Sequence, residues 1–235
     1  YSARPTVRLN DNANDRLTGM LLAFEVTEQE DGLSAAELEL SNQYSRPDGT
    51  ADYAFEDEAI LKLGDRLSIY SGDEAGPTEI FSGTISALEA KFGDGKSPTL
   101  TVLAEDKLLL ARAQRRTKAH EATTVADLAR SVASDLGLTP QITALTQSCG
   151  TQLQCNESDL AFLRRLLARY DGDLQVVGTE LHVAPRGQIR RNAVTLQLNS
   201  QLAQVRILAD LTHQVSEVTV TGWDAASGSR INSSS

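Results

Sequence analysis

The sequence is poor in the side chains that most reaction and recognition chemistry draws on. Its 235 residues include two cysteines, three histidines, one tryptophan and one methionine, and aromatics make up 5%. Cys149 and Cys155 lie six positions apart with no histidine near them, so they cannot complete a four-ligand zinc site. A disulfide between them would close a loop-like stretch in an oxidising compartment. Two unpaired thiols in a cytoplasmically assembled protein are the expectation. His120, His182 and His213 form no ligand pair, and each reads as a surface or core histidine. So few aromatic rings leave few platforms for stacking sugars. No apolar run approaches the ~18 residues of a membrane span, and no cleavable leader pattern opens the chain. It starts without methionine and ends in Ser233-Ser234-Ser235, as expected of a trimmed product.

Basic charge is scarce in the first half. Residues 1–106 hold 21 acidic and 8 basic side chains, a net −13, against 11 acidic and 14 basic afterwards, a net +3. Wrapping nucleic acid needs clustered Lys and Arg, so stable nucleic-acid binding is not expected. An acidic surface past which nucleic acid or acidic cargo slides fits better.

The rest of the first half alternates as strands do. Thr6 to Leu9, Leu21 to Val26 and Ala36 to Leu40 are separated by the polar turns Asn10–Asp15 and Glu28–Gly32. The apolar–acidic alternation of Ala36 to Leu40 implies one buried and one wet face. Tyr44 to Phe55, with Pro47-Asp48-Gly49, reads as an irregular excursion, and Leu61 to Tyr70 as a strand pair or one strand bent at Gly64. Ile80 to Phe92 and Thr99 to Glu105 join through Gly93-Asp94-Gly95-Lys96, a hairpin signal. Strands at this spacing suggest a small antiparallel barrel or sandwich.

The period changes at residue 123. Thr124 with Asp127 has the form of a capping box, and Val125, Leu128, Ala129, Val132 and Leu136 follow at helical spacing until Gly137. A second helix begins near Asn156 to Ser158, carries Leu160, Leu163, Leu167 and Tyr170, and ends at Gly172. Leu174–Val177 and Leu181–Val183 predict a hairpin around Gly178-Thr179. From residue 188 the strand pattern resumes in Val194–Leu198, Ala203–Ile207 and Val218–Asp224. These are too few for a closed barrel, so partner subunits or further sequence must complete the sheet.

No reaction chemistry assembles. Asp11 to Arg16 opens like a calcium loop but has Ala13 and Arg16 where a ligand and a glycine are needed. Asp171-Gly172-Asp173 reads as a helix stop. Gly72, Gly76, Gly83 and Gly93 sit in turns without a phosphate-binding context, and no Gly-x-Ser-x-Gly elbow occurs. No metal, cofactor or catalytic residue is assigned, and the chain is not read as an enzyme. The arginine-rich link Arg112, Arg115, Arg116 and Lys118 lacks interleaved aromatics. It is the candidate interface against the acidic half of a neighbouring copy. Val218, Val220 and Trp223 are candidates for core and subunit packing, with an intramolecular core equally open for Trp223.

An ordered set of segments carries a family resemblance: Phe81-Ser82-Gly83-Thr84-Ile85, Ala104-Glu105-Asp106 with Leu108-Leu109, Thr123 to Ala129, Gln154 to Leu166, and Val218 to Asp224. In this order the chain resembles the late control protein D group of phage tail proteins. These are the gp27-like baseplate hubs, related to VgrG and to hub-spike proteins of contractile injection systems. The resemblance implies a mainly β fold with a small α/β insert, two tube-like antiparallel β-barrel modules flanking a helix-containing segment. The modules would be residues 1–106, a helix-containing insert at 107–186, and an incomplete second barrel at 187–235.

It further implies a homotrimer forming a pseudo-hexameric ring in the baseplate of a virion or tail-like particle, assembled in the bacterial cytoplasm. The tail tube protein would sit above it, the spike below, and other baseplate proteins around it, with no membrane insertion. The spike is expected beyond this sequence or on another chain. The competing expectations are a cell-wall hydrolase and a surface-binding β module of a tail tip.

Overall fold

The computed structural model describes residues 5–28, 33–55, 58–71, 77–189, 195, 197–199, 204–209, 211 and 215–234. It is mainly β with a helix-containing segment, and divides into two compact units, residues 1–190 and 191–235.

The first unit opens with β1 (Thr6–Leu9), β2 (Asn12–Ala13), α1 (Asp15–Met20), β3 (Leu21–Thr27) and β4 (Ala35–Ser41). The small hairpin β5 (Gln43–Ser45) and β6 (Ala51–Tyr53) follows, then β7 (Arg66–Ser71), β8 (Thr78–Gly93) and β9 (Lys96–Glu105). Seven of these strands form one antiparallel sheet in the order β2-β1-β7-β8-β9-β4-β3. Its apolar face is built by alternation. Ala36, Leu38 and Leu40 of β4 are buried while Glu37 and Glu39 between them are exposed. Val7, Leu67, Ile69, Phe81, Ile85, Leu100 and Val102 complete that core with Leu17 of α1. Asn14 caps α1 by accepting from the Leu17 N–H at 3.0 Å, which explains a helix where the polar run suggested only a turn.

Three further expectations need correction. Leu61 to Tyr70 is neither a strand pair nor one bent strand: Gly64 adopts φ +89° in a turn, and the strand starts at Arg66. Gly83 lies inside β8 and not in a turn; a Cβ there would collide with the Glu105 carbonyl and stand 2.6 Å from the Phe81 ring. The Tyr44–Phe55 excursion contains the β5–β6 hairpin.

The helix-containing segment has a separate core. Its elements are α2 (Leu108–Ala113), β10 (Arg115–Thr124), α3 (Val125–Asp135), β11 (Thr139–Ile142), β12 (Ser148–Ser158), α4 (Asp159–Leu167), β13 (Gly172–Val177) and β14 (Glu180–Pro185). Thr124 and Asp127 form the expected capping box, and Gly137 takes φ +65° beyond the helix end. Ser158 caps α4 by accepting from Ala161 N at 3.2 Å. Both helices bury their stripes, Leu128, Ala129 and Val132 on one and Leu160, Phe162, Leu163 and Leu166 on the other, against Leu174, Leu181 and Val183. Each such aliphatic side chain contributes on the order of 2 kcal/mol. The expected hairpin is β13–β14, and β11 adds to β14 in parallel.

Beyond Arg112, which ends α2, the arginine-rich link is a strand, β10, and the cysteine stretch is β12; the two pair as a two-stranded ribbon. They lack apolar alternation because one strand pair presents little area to the core, so the period-two signal never develops.

In the second unit β15 (Thr219–Asp224) pairs with β16 (Ser229–Ser234). The strand expected at 203–207 is irregular over 204–207, and that at 194–198 falls largely outside the described residues.

Replacing Gly83 by alanine is expected to destabilise the first sheet by about 2–3 kcal/mol through overpacking. Thermal denaturation of the variant against wild type checks this.

Candidate assembly surfaces

The four basic residues divide in the structure. Arg112, in the last turn of α2, holds the buried carboxylate of Glu105 at 2.8 Å. Arg116, on β10, reaches Asp135 at the end of α3 at 3.1 Å and the buried Asp159 at the start of α4 at 3.3 Å. Gln154 of β12, itself buried, donates to Asp159 at 2.9 Å and to the Glu157 carbonyl at 3.0 Å. His120 lies 3.2 Å from the same glutamine and stacks on Phe162. Arg165 grips Glu157 through two 2.8 Å bonds and also donates to the Leu153 carbonyl. That pairing holds the Glu157 carboxyl below the usual range. Arg112 and Arg116 therefore fasten sheet, ribbon and helices together. Arg115, donating to the Asn156 carbonyl at 3.1 Å, and Lys118 are exposed, with outward charge.

The first sheet presents an acidic wet face. Glu25 of β3 stands directly opposite Glu37 of β4, and Ala23 opposite Glu39. All three glutamates are exposed. Directly opposed like charges destabilise a strand pair. The core side of the same edge is unfinished: Phe24, opposite the buried Leu38, is 38% exposed, and Leu22 at the adjoining register shift is 59% exposed.

Val218, Val220 and Trp223 are exposed on their own unit, Trp223 by 67%. Ile231 on β16 is exposed as well. Among the described residues, no group of three His, Cys, Asp or Glu is placed to hold a metal, and no helix is long and apolar enough to cross a membrane. His182 pairs with Glu180 at 2.9 Å; His213, Gly72 and Gly76 lie outside the described residues. Cys149 and Cys155 share strand β12. Six strand residues separate them by roughly 20 Å, so the loop-closing disulfide is excluded.

Asp106 carries a role that sequence reading missed. It is buried at the junction of β9 and α2 and accepts from Ser34 N and Leu108 N, both at 2.8 Å. Burial pushes its carboxyl above the usual range, against those two hydrogen bonds. Its place two residues before Leu108, within Ala104-Glu105-Asp106, was the available signal.

The family model for the Alg8 N-terminal domain matches residues 12–235. The chain belongs to that family. No curated protein matches it by sequence. In fold it is similar to the 43 kDa tail protein of prophage MuSo2 from Shewanella oneidensis, with TM-score 0.70 and 16% identity, over 99% of this chain and 68% of that one. A tail protein from Neisseria meningitidis MC58 matches with TM-score 0.66 and 12% identity, over 99% and 67%. The E. coli c3393 protein is a type VI secretion component with structural similarity to T4 bacteriophage tail proteins gp27 and gp5. It matches with TM-score 0.53 and 12% identity, over 96% of this chain and 55% of that one. At these identities the likeness is one of fold, and this Alg8 N-terminal domain spans little more than half of the secretion protein.

Two outcomes follow from the buried carboxylates. Arg116→Ala strips Asp159 of its cation while leaving Gln154 in place, and is expected to cost about 1–2 kcal/mol in chemical denaturation. Because the folded state holds the Asp106 proton more tightly than the unfolded chain, that group's contribution falls as pH rises from about 4 through its raised folded value. The stability of wild type relative to Asp106→Asn should therefore decrease over that rise, read as melting temperature against pH.

Proposed function

We propose that this chain is the structural hub of a contractile tail or injection-system baseplate. Three copies form a pseudo-hexameric ring that joins a six-fold tail tube to a three-fold spike. In this reading residues 1–106 form one tube-like module, 107–186 the insert, and 187–235 the start of a second module. The observation that carries it is strand edges that no described residue pairs, in a fold shared with phage tail proteins and a type VI secretion component.

A hub transmits force, so its requirements are broad interfaces and satisfied backbone edges, not a reactive side chain. The exposed Arg115 and Lys118 face the acidic sheet of a neighbouring copy, where Glu25, Glu37 and Glu39 supply the opposite sign. The tail tube protein, the spike and other baseplate proteins are the remaining partners, and the tail particle is the location. Val218, Val220 and Trp223 contribute to packing between copies.

Mass in solution tests the reading. A trimer is expected, and Arg115→Glu with Lys118→Glu should weaken it about tenfold and reduce its salt dependence. A chain that stays monomeric at high concentration and hydrolyses cell wall would overturn the hub.

A further inference from the structure

We infer that the β15–β16 hairpin of one copy adds to the free β3 edge of a second copy, extending the first sheet across the boundary between subunits. The inference rests on the ring reading and names the surfaces that make the ring.

The acceptor is β3. Among the described residues it is the last strand of the seven-stranded sheet, paired on one side only, to β4, and it is seven residues long. Native edges are blunted by lysine and other charges, proline, bulges or short strands; Leu21–Thr27 has no lysine or proline, and carries only Glu25 and a register shift between Leu21 and Ala23 as such devices. Phe24 and Val26 sit in the register that faces the core, opposite Leu38 and Ala36, and among the described residues only β4 flanks them. The apolar face therefore runs out at an uncovered edge.

The donor is the hairpin. Two strands of six residues, all exposed except the half-buried Asp224, are marginal alone. Its pairing sorts the side chains into two faces. Gly222 stands opposite Ile231 and Val220 opposite Ser233, so Val220 and Ile231 share one face. Trp223 stands opposite Arg230 and Thr221 opposite Asn232 on the other.

Laid beside β3, this hairpin puts Val220 and Ile231 on one side of the extended sheet and Arg230, with Trp223, on the other. Val220 and Ile231 continue the apolar row of Phe24 and Val26. Arg230 comes to the wet side beside the Glu25–Glu37 pair, and a cation there relieves the repulsion of two opposed carboxylates. Six-residue strands suit a seven-residue edge. One chain carries both donor and acceptor, the head-to-tail arrangement that closes into rings. The occupant is thus a second copy, bound by main-chain hydrogen bonds with side-chain pockets setting the register.

The test mixes two separately tagged chains in a Cys149→Ser, Cys155→Ser background, one with Glu25→Cys and the other with Arg230→Cys or Asn232→Cys. Neighbouring antiparallel strands bring Cα atoms within disulfide reach. A disulfide between the two tags is expected under mild oxidation and supports the inference. A trimer by mass with no hetero-linked product would overturn this surface and leave the hub standing. A chain carrying both cysteines that closes only on itself would overturn it too, as would a monomer at every concentration, which also removes the hub. Independently, Arg230→Glu should weaken self-association about tenfold and Glu25→Arg in the same chain should restore most of it; failure of that rescue contradicts the pairing.

Discussion

A strand at the end of a sheet leaves a row of N–H and C=O groups that must find water or a partner. Among the described residues such rows lie on β3 and on the two-stranded ribbons β10–β12 and β15–β16, with the small β5–β6 hairpin a third such pair. A single globule would be expected to bury them under a helix or loop. Here the same edges carry exposed Phe24, Leu22, Val220 and Ile231, apolar groups that water does not reward. Main chain and side chain thus make the same demand, which a second copy of the polypeptide would meet in the proposed ring.

The other interactions keep those edges in place. The first sheet is fixed by close approach at Gly83, where β8 meets the Glu105 carbonyl. Asp106 then clasps Ser34 and Leu108, so the end of β9 is tied to both the next strand and α2. Arg112 and Arg116 extend the fastening into the ribbon and the two long helices. Buried ion pairs are weak sources of net stability but strong sources of geometry.

Much of the core was readable from residue order. The helices at α3 and α4 announced themselves through Thr124, Asp127 and Ser158 and through their three- and four-residue apolar spacing, because a cap and a stripe are local signals. β4 was equally clear, since its sheet buries one face. The ribbon strands β10 and β12 were not, because polar residues occupy both their faces and only the partner strand defines them. Nor could sequence separate Arg116, committed to Asp159 forty-odd positions away, from the exposed Arg115 beside it. Charge type is visible in a sequence; the distant partner that neutralises it is not. Trp223 was ambiguous for the same reason, since its own hairpin leaves it exposed.

Hydrogen exchange followed as a function of protein concentration tests the central claim most directly, because it reads the edge amides themselves. Protection of β3, β15 and β16 should rise with concentration and assembly, while amides shared between β8 and β9 stay protected throughout. Edge amides that exchange at one fast rate from dilute monomer to concentrated sample, or that are already protected in the monomer, would contradict the account.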